Sequence, residues 1–228
     1  MKPSGFKSVM AHRAPDLDKL DYFPTPPWAA RAGAELIRAL DPEASSVWEP
    51  AAGGGHLAHG FADYFATVRE SDIFPHREGL EVVDFLDPEI EDASAFDWIA
   101  TNPPFILAEE FIRLAIKRAR RGVAMLVRLS FLEGVKRYGL LYGETPVALV
   151  APFAERVPMT KGRWDPAAST ATAYAWFIWR TDRVVGDPVL RPIPPGRAKA
   201  LSRTSDLDRF CAADPGDLFA NRAAEGGE

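Results

Sequence analysis

Apolar positions along this chain switch between helical and strand spacing. Ala29, Ala32, Leu36, Ile37 and Leu40 recur at helical intervals behind Thr25 and Pro26, which predicts a first helix with Thr25 as N-cap and Pro26 at its first position. Short apolar runs at 46–48, 67–69, 81–83, 97–100, 123–129, 147–150 and 174–179 predict strands. Between them, 56–65, the face formed by Ala108, Phe111, Ile112, Ala115 and Ala119, and 132–141 read as helices. Strands that alternate with helices predict an α/β fold built on a doubly wound, mostly parallel sheet. Trp176, Phe177 and Trp179 lie on the last strand pattern and are expected in the core.

In such sheets ligands lie beyond the carboxyl ends of the strands, near the point where strand order reverses. The chain's polar and glycine signals fall there. Glu49-Pro50-Ala51-Ala52-Gly53-Gly54-Gly55 joins a strand to a helix, and glycine both admits a ligand close to the backbone and tolerates positive φ. Gly53 and Gly55 therefore fit a ligand-binding turn, with a plain chain reversal as the alternative. Asp72, past the next strand, is placed to accept hydrogen bonds from ribose hydroxyls, against the reading of a solvated loop aspartate. Asp84 and Phe85 follow a third strand, where a carboxylate can accept from an adenine amino group and a phenyl ring can cover the base. These residue types suit an adenosine moiety, common to NAD, ATP and S-adenosylmethionine. No GxxxxGK[ST] loop is present, which disfavours ATP.

Thr101-Asn102-Pro103-Pro104-Phe105 closes the strand around Trp98-Ile99-Ala100. Pro103 forces Asn102 toward an extended backbone, and two prolines without N–H groups leave a stiff row of acceptors. An exocyclic aromatic amine is a poor nucleophile because its lone pair is conjugated with the ring. Two acceptors at tetrahedral angles, the Asn102 side-chain oxygen and the Pro103 carbonyl, would favour the pyramidal nitrogen and the charge that develops on it. Phe105 offers a face on which a planar base can stack. A rigid strand-ending turn is the alternative reading of the same residues.

Composition narrows the setting. A chain of 228 residues with 47% hydrophobic content suits one main domain. We expect an arm over 1–20, a catalytic domain over 21–180 and an extended or partly disordered tail over 181–228. The net charge of −5 is not that of a nonspecific nucleic-acid coat. A local exception is the run Arg113, Lys117, Arg118, Arg120, Arg121, Arg128, Lys136 and Arg137, whose only acid is Glu133. It reads as a backbone-tracking surface or as a solvated helix face. Lys161, Gly162, Arg163 and Trp164 read as a loop facing the base, or as a loop tryptophan packed on the core. The single cysteine, Cys211, excludes a disulfide framework and the paired cysteines of zinc deaminases, and no metal site is expected. His56 and His59 carry no assigned chemistry. With no apolar signal segment at the start and no long apolar run, a cytoplasmic location and no membrane are expected.

On these motifs the chain resembles the N6-adenine methyltransferases in which a methionine-side motif, here Phe23-Pro24-Thr25-Pro26-Pro27, precedes the glycine motif and Asn-Pro-Pro-Phe follows it. The resemblance covers about 21–105, and the later segments 128–137, 174–179 and 193–196 look like phage or prophage adenine methyltransferases. It implies a Rossmann-like class I methyltransferase fold, S-adenosylmethionine as methyl donor and nucleic acid, DNA first, as partner. By it Thr25 and Pro26 would contact the methionine portion. Glu49, Ala51, Gly53 and Gly55 would surround methionine and ribose, and Asp72 and Ile73 would hold ribose and adenine. Asp84 and Phe85 would hold the cofactor adenine, and Asn102, Pro103, Pro104 and Phe105 the target amine. The large target-recognition domain of many relatives has no counterpart in this sequence, so specificity would come from loops, a specificity subunit or self-association. The same loop chemistry also serves RNA adenine and protein glutamine amides. A noncatalytic subunit and an NAD-dependent oxidoreductase complete the alternatives.

Overall fold

The computed structural model of the chain describes residues 21–90, 95–143 and 145–211. Strands β1 (Ser46–Glu49), β2 (Thr67–Asp72), β3 (Glu81–Val82), β4 (Trp98–Thr101), β5 (Gly122–Arg128), β6 (Leu149–Pro152), β7 (Tyr174–Arg180) and β8 (Val189–Leu190) form one sheet of order β3-β2-β1-β4-β5-β7-β6-β8. All pairs are parallel except those of β7, which runs antiparallel to both β5 and β6. The order reverses at β1, with β2 on one side and β4 on the other, which is where a doubly wound sheet opens a crevice.

Successive residues of the central strands serve opposite faces. Val47, Trp98, Ala124, Leu126 and Trp176 pack under α1 (Pro27–Leu40) and α2 (His56–Phe61). Trp48, Ile99, Val123, Met125 and Phe177 pack under α3 (Ala108–Arg118) and α4 (Tyr138–Tyr142). Burial on both faces is why these strands read as continuous apolar runs rather than alternating ones. Trp176, Phe177 and Trp179 are fully buried, as the pattern predicts.

Three details differ from the sequence reading. The first helix has Pro26, not Thr25, as N-cap, and Pro26 is extended at φ −51° and ψ 133°. The following Pro27 disfavours helical geometry in the residue before it, so the helix starts one residue later than expected. The helix expected over 132–141 is replaced by 3-10 turns at Leu129–Leu132 and Val135–Arg137 and by the short α4. Gly134 at φ +118° breaks the run.

The third difference is the tail. Residues 181–211 carry β8, α5 (Arg197–Leu201) and α6 (Thr204–Phe210), whereas the expected arm at 1–20 and the stretch 212–228 lie outside the described residues. Charge holds this segment down. Arg31, on α1 and 1% exposed, donates to both Asp206 carboxylate oxygens at 2.7 Å, to Asp63 at 2.6 Å and to the Leu201 carbonyl at 2.8 Å. No helix among the described residues is long and apolar enough to cross a membrane.

Candidate active site

A cavity of ≈280 Å³ opens at the carboxyl ends of β1, β2 and β4. Its floor is the turn that links β1 to α2. Gly53 adopts φ +52°, and a Cβ there would lie 2.3 Å from the Tyr22 ring, so only glycine fits under that side chain. The Gly53 amide donates to Asp72 Oδ2 at 2.9 Å, and the Gly54 amide donates to the Tyr22 hydroxyl at 3.1 Å. Tyr22 also packs against the His76 ring at 4.5 Å. Burial, opposed by the Gly54 bond and reinforced by Glu49 and Asp72, raises the Tyr22 phenol to about 12.

Of the residues singled out in the sequence, Thr25, Glu49, Ala51, Asp72, Ile73, Asp84, Phe85, Asn102 and Pro104 line the cavity. Pro26, Gly53, Gly55, Pro103 and Phe105 do not. Pro26 spends its carbonyl on the Ala29 and Ala30 amides at the start of α1, and Tyr22 fills the space over Gly53. Asp72 is less free than a ribose-binding role suggests, because its second oxygen takes the Phe74 amide at 3.0 Å. Asp84 accepts the Leu86 amide on one oxygen at 2.9 Å, and Phe85 is a buried wall packed edge-on to Trp48 at 5.3 Å.

Four residues of the cavity lining carry a buried polar atom with no hydrogen-bond partner among the described residues: Thr25 Oγ1, Glu49 Oε2, His56 Nδ1 and Asn102 Oδ1. Burying such groups unpaired is costly, so each is an offer to a ligand. Burial, and next the neighbouring Glu70, raise the Glu49 carboxyl well above the usual carboxylate range. A cationic ligand group beside it would restore the ionised form.

Asn102 is held by its nitrogen. Nδ2 donates to the Phe23 carbonyl at 3.0 Å, with Met159 Sδ at 3.9 Å, so the amide oxygen is the atom left over. Phe105 departs from the open stacking face expected of it. Its amide donates to Asp21 Oδ2 at 2.6 Å, and the Arg128 guanidinium lies over its ring at 4.3 Å.

Other expectations resolve toward packing. Trp164 is buried near His56 and Phe210, at 6.3 and 6.4 Å. Within the basic run, Arg118 binds the Phe85 and Asp87 carbonyls, Arg120 pairs with Asp97, Arg121 with Asp41 and Glu43, and Arg137 with Glu109. The sequence reading missed Tyr22, and it left His56 without a place on the cavity wall. His56 stacks on Phe210 of α6 at 3.9 Å.

The order of strands and the cavity at their switch point can now be set beside solved structures. A putative class I S-adenosylmethionine-dependent methyltransferase from Listeria monocytogenes superposes with a TM-score of 0.54 at 14% identity, over 95% of this chain and 73% of that one. The fold is that of class I methyltransferases. A methyltransferase subunit of a type I restriction-modification system from Streptococcus thermophilus matches at TM-score 0.54 and 14% identity, over 93% of this chain and 55% of that one. A modification subunit of a putative type I restriction enzyme from Vibrio vulnificus matches at 0.51 and 17%, over 88% and 53%. The chain thus spans about half the length of the Vibrio and Streptococcus subunits. No protein-family model matches the sequence, and no curated protein matches it.

The His56 environment makes a measurable prediction. Burial, then Arg209 and His59, push its imidazole from the ordinary 6.5 down to about 4. Between those values the unfolded chain binds a proton that the folded one refuses, so stability falls as pH drops through that window. His56→Gln should flatten the profile, removing about 3 kcal/mol of pH dependence by pH 4. Denaturant unfolding at pH 7 and pH 4.5 reads this, and an equal pH slope in both proteins would contradict it.

Proposed function

We propose that the chain is an S-adenosylmethionine-dependent methyltransferase acting on the exocyclic N6 amino group of adenine in nucleic acid, with DNA as the first candidate. The observation that carries the reading is the Asn102 amide at the cavity lining, whose nitrogen is tied to Phe23 while its buried oxygen has no hydrogen-bond partner among the described residues. An amine acceptor placed at the end of β4 is what transfer to a weakly nucleophilic nitrogen requires.

The donor set fits the proposed cofactor. Glu49 and Thr25 would take its ammonium and carboxylate end and Ala51 its middle, while Gly53 and Gly55, which do not line the cavity, shape the turn that carries Ala51. Asp72 and Ile73 would take the ribose, and Asp84 with Phe85 the adenine, while Pro26 sets the start of α1 beneath them. The bound sulfonium supplies an electrophilic methyl group. Asn102 Oδ1, with the Pro103 carbonyl on the stiff turn made by Pro103 and Pro104, orients the acceptor amine and holds its N–H bonds as positive charge develops. The methyl group would pass to the acceptor nitrogen with the S–CH3 bonding pair left on sulfur, and the nitrogen's extra proton would pass to solvent. The solved neighbours described as a modification subunit of a putative type I restriction enzyme and a methyltransferase subunit of a type I restriction-modification system support DNA as the first substrate to test and a further subunit as partner.

The test is transfer of labelled methyl from S-adenosylmethionine to separate DNA, RNA and protein pools. Label in DNA supports the proposal. Label confined to protein or RNA replaces the substrate, and no label in any pool overturns the activity.

A further inference from the structure

Phe105 belongs to the strand-end turn that carries Asn102, yet its ring is not open. One side packs toward the buried cluster through Phe23 at 5.2 Å and Tyr174 at 6.2 Å. The Arg128 guanidinium lies over the ring at 4.3 Å. Arg128 is the last residue of β5, directly opposite Tyr174 in the antiparallel register with β7. Its side chain is exposed, its hydrogen bond is to the Tyr174 hydroxyl, and it makes no ion pair with a carboxylate among the described residues, unlike Arg120, Arg121 and Arg137 of the same run. Beside it an open groove of ≈560 Å³ continues along Ser130, Leu132, Glu133 and Thr172.

Resting on the nucleic-acid reading above, we propose that Arg128 is a positioning residue for the acceptor base. In the free protein its planar guanidinium covers the Phe105 ring, and on binding it yields that face to the base and pairs with the phosphate beside it. The physical case has two parts. An exposed cation–π contact is weaker than a base stacked on an aromatic ring, so the exchange runs toward the base. The displaced guanidinium keeps a charge that no carboxylate among the described residues neutralises and a planar fork of donors, which match a phosphate bidentately. The groove then gives the flanking nucleotide a path away from the catalytic turn, and Glu133 in its lining leaves Arg128 as the residue there that attracts a phosphate.

The experiment is fluorescence anisotropy of a labelled adenine-containing single-stranded oligonucleotide across a sodium chloride series, with initial methyl-transfer rates on the same oligonucleotide. Arg128→Ala should weaken binding about tenfold at moderate salt, and it should lower the slope of log K against log salt by about 0.7, one phosphate on a single strand. KM should rise with kcat held within about threefold, while Arg128→Lys, which keeps the charge, should restore the slope. A merely structural role for Arg128 would not move the salt slope. Wild-type binding and transfer with an unchanged slope in Arg128→Ala overturns this inference alone. Failure of the wild-type protein to bind any nucleic acid overturns the substrate reading and this inference together.

Discussion

Asn102→Ala should reduce methyl transfer by about 10²–10³ in kcat, the scale of losing one preorganised group that stabilises transition-state charge. A lone pair conjugated with a purine ring must be drawn out of conjugation before it can attack, and acceptors on both N–H bonds favour that geometry. The Phe23 carbonyl fixes Asn102 Nδ2 at 3.0 Å and leaves Oδ1 as a buried acceptor without a partner among the described residues, which is what the proposed role asks of it. Cofactor affinity should remain within about twofold, because Glu49, Asp72 and Asp84 stand on other strand ends. Loss of the anchor to Phe23 is a side effect, worth about 1–3 kcal/mol of stability for a donorless carbonyl. Transfer rates and cofactor titration together separate the two consequences. A rate within a few-fold of wild type would remove Asn102 from its assigned role.

Asp206→Ala should destabilise the fold by about 3 kcal/mol, near the lower end for breaking a buried ion pair because Asp63 still faces Arg31. Asp206 is 1% exposed and receives both terminal nitrogens of Arg31 and the Arg203 amide at 2.9 Å, with His59 Nε2 lying 3.3 Å away. The loss should appear as a fall of about 10 °C in Tm for a domain of this size. Burial pushes the Asp206 carboxyl up, but its bonds from Arg31 and Arg203 outweigh burial and leave it below the usual range. Its stabilisation is therefore full above the unfolded-state pKa and lost as pH falls through the folded one, so the gap between variant and wild type should close in acid. Because α6 also stacks Phe210 on His56 at the cavity wall, cofactor affinity should fall with stability. A Tm within about 2 °C of wild type would show that the tail is held some other way.

These two residues mark how far the sequence carried. Strands were legible where both faces are buried, since Val123 to Val127 and Tyr174 to Trp179 can only read as continuous apolar runs. The place of Asn102, Glu49, Asp72 and Asp84 at one cavity was legible because strand ends meet at the switch point of a doubly wound sheet, and all four line that cavity. The tail was not, because it is fastened by a charge pair 175 positions apart that no local periodicity records. Tyr22 escaped for the same reason, its role resting on a contact with Gly54 across 32 positions. Phe105 was placed on the right turn, but its ring face depends on Arg128 at the end of a different strand.

The central claim concerns which atom is methylated, and nucleoside analysis of DNA incubated with the protein and S-adenosylmethionine tests it most directly. The account predicts N6-methyl-2′-deoxyadenosine as the modified nucleoside, absent from the same digest made with Asn102→Ala. A digest in which the new methyl group sits on a cytosine carbon, or in which DNA stays unmodified while the bound cofactor is turned over on another substrate, would contradict it.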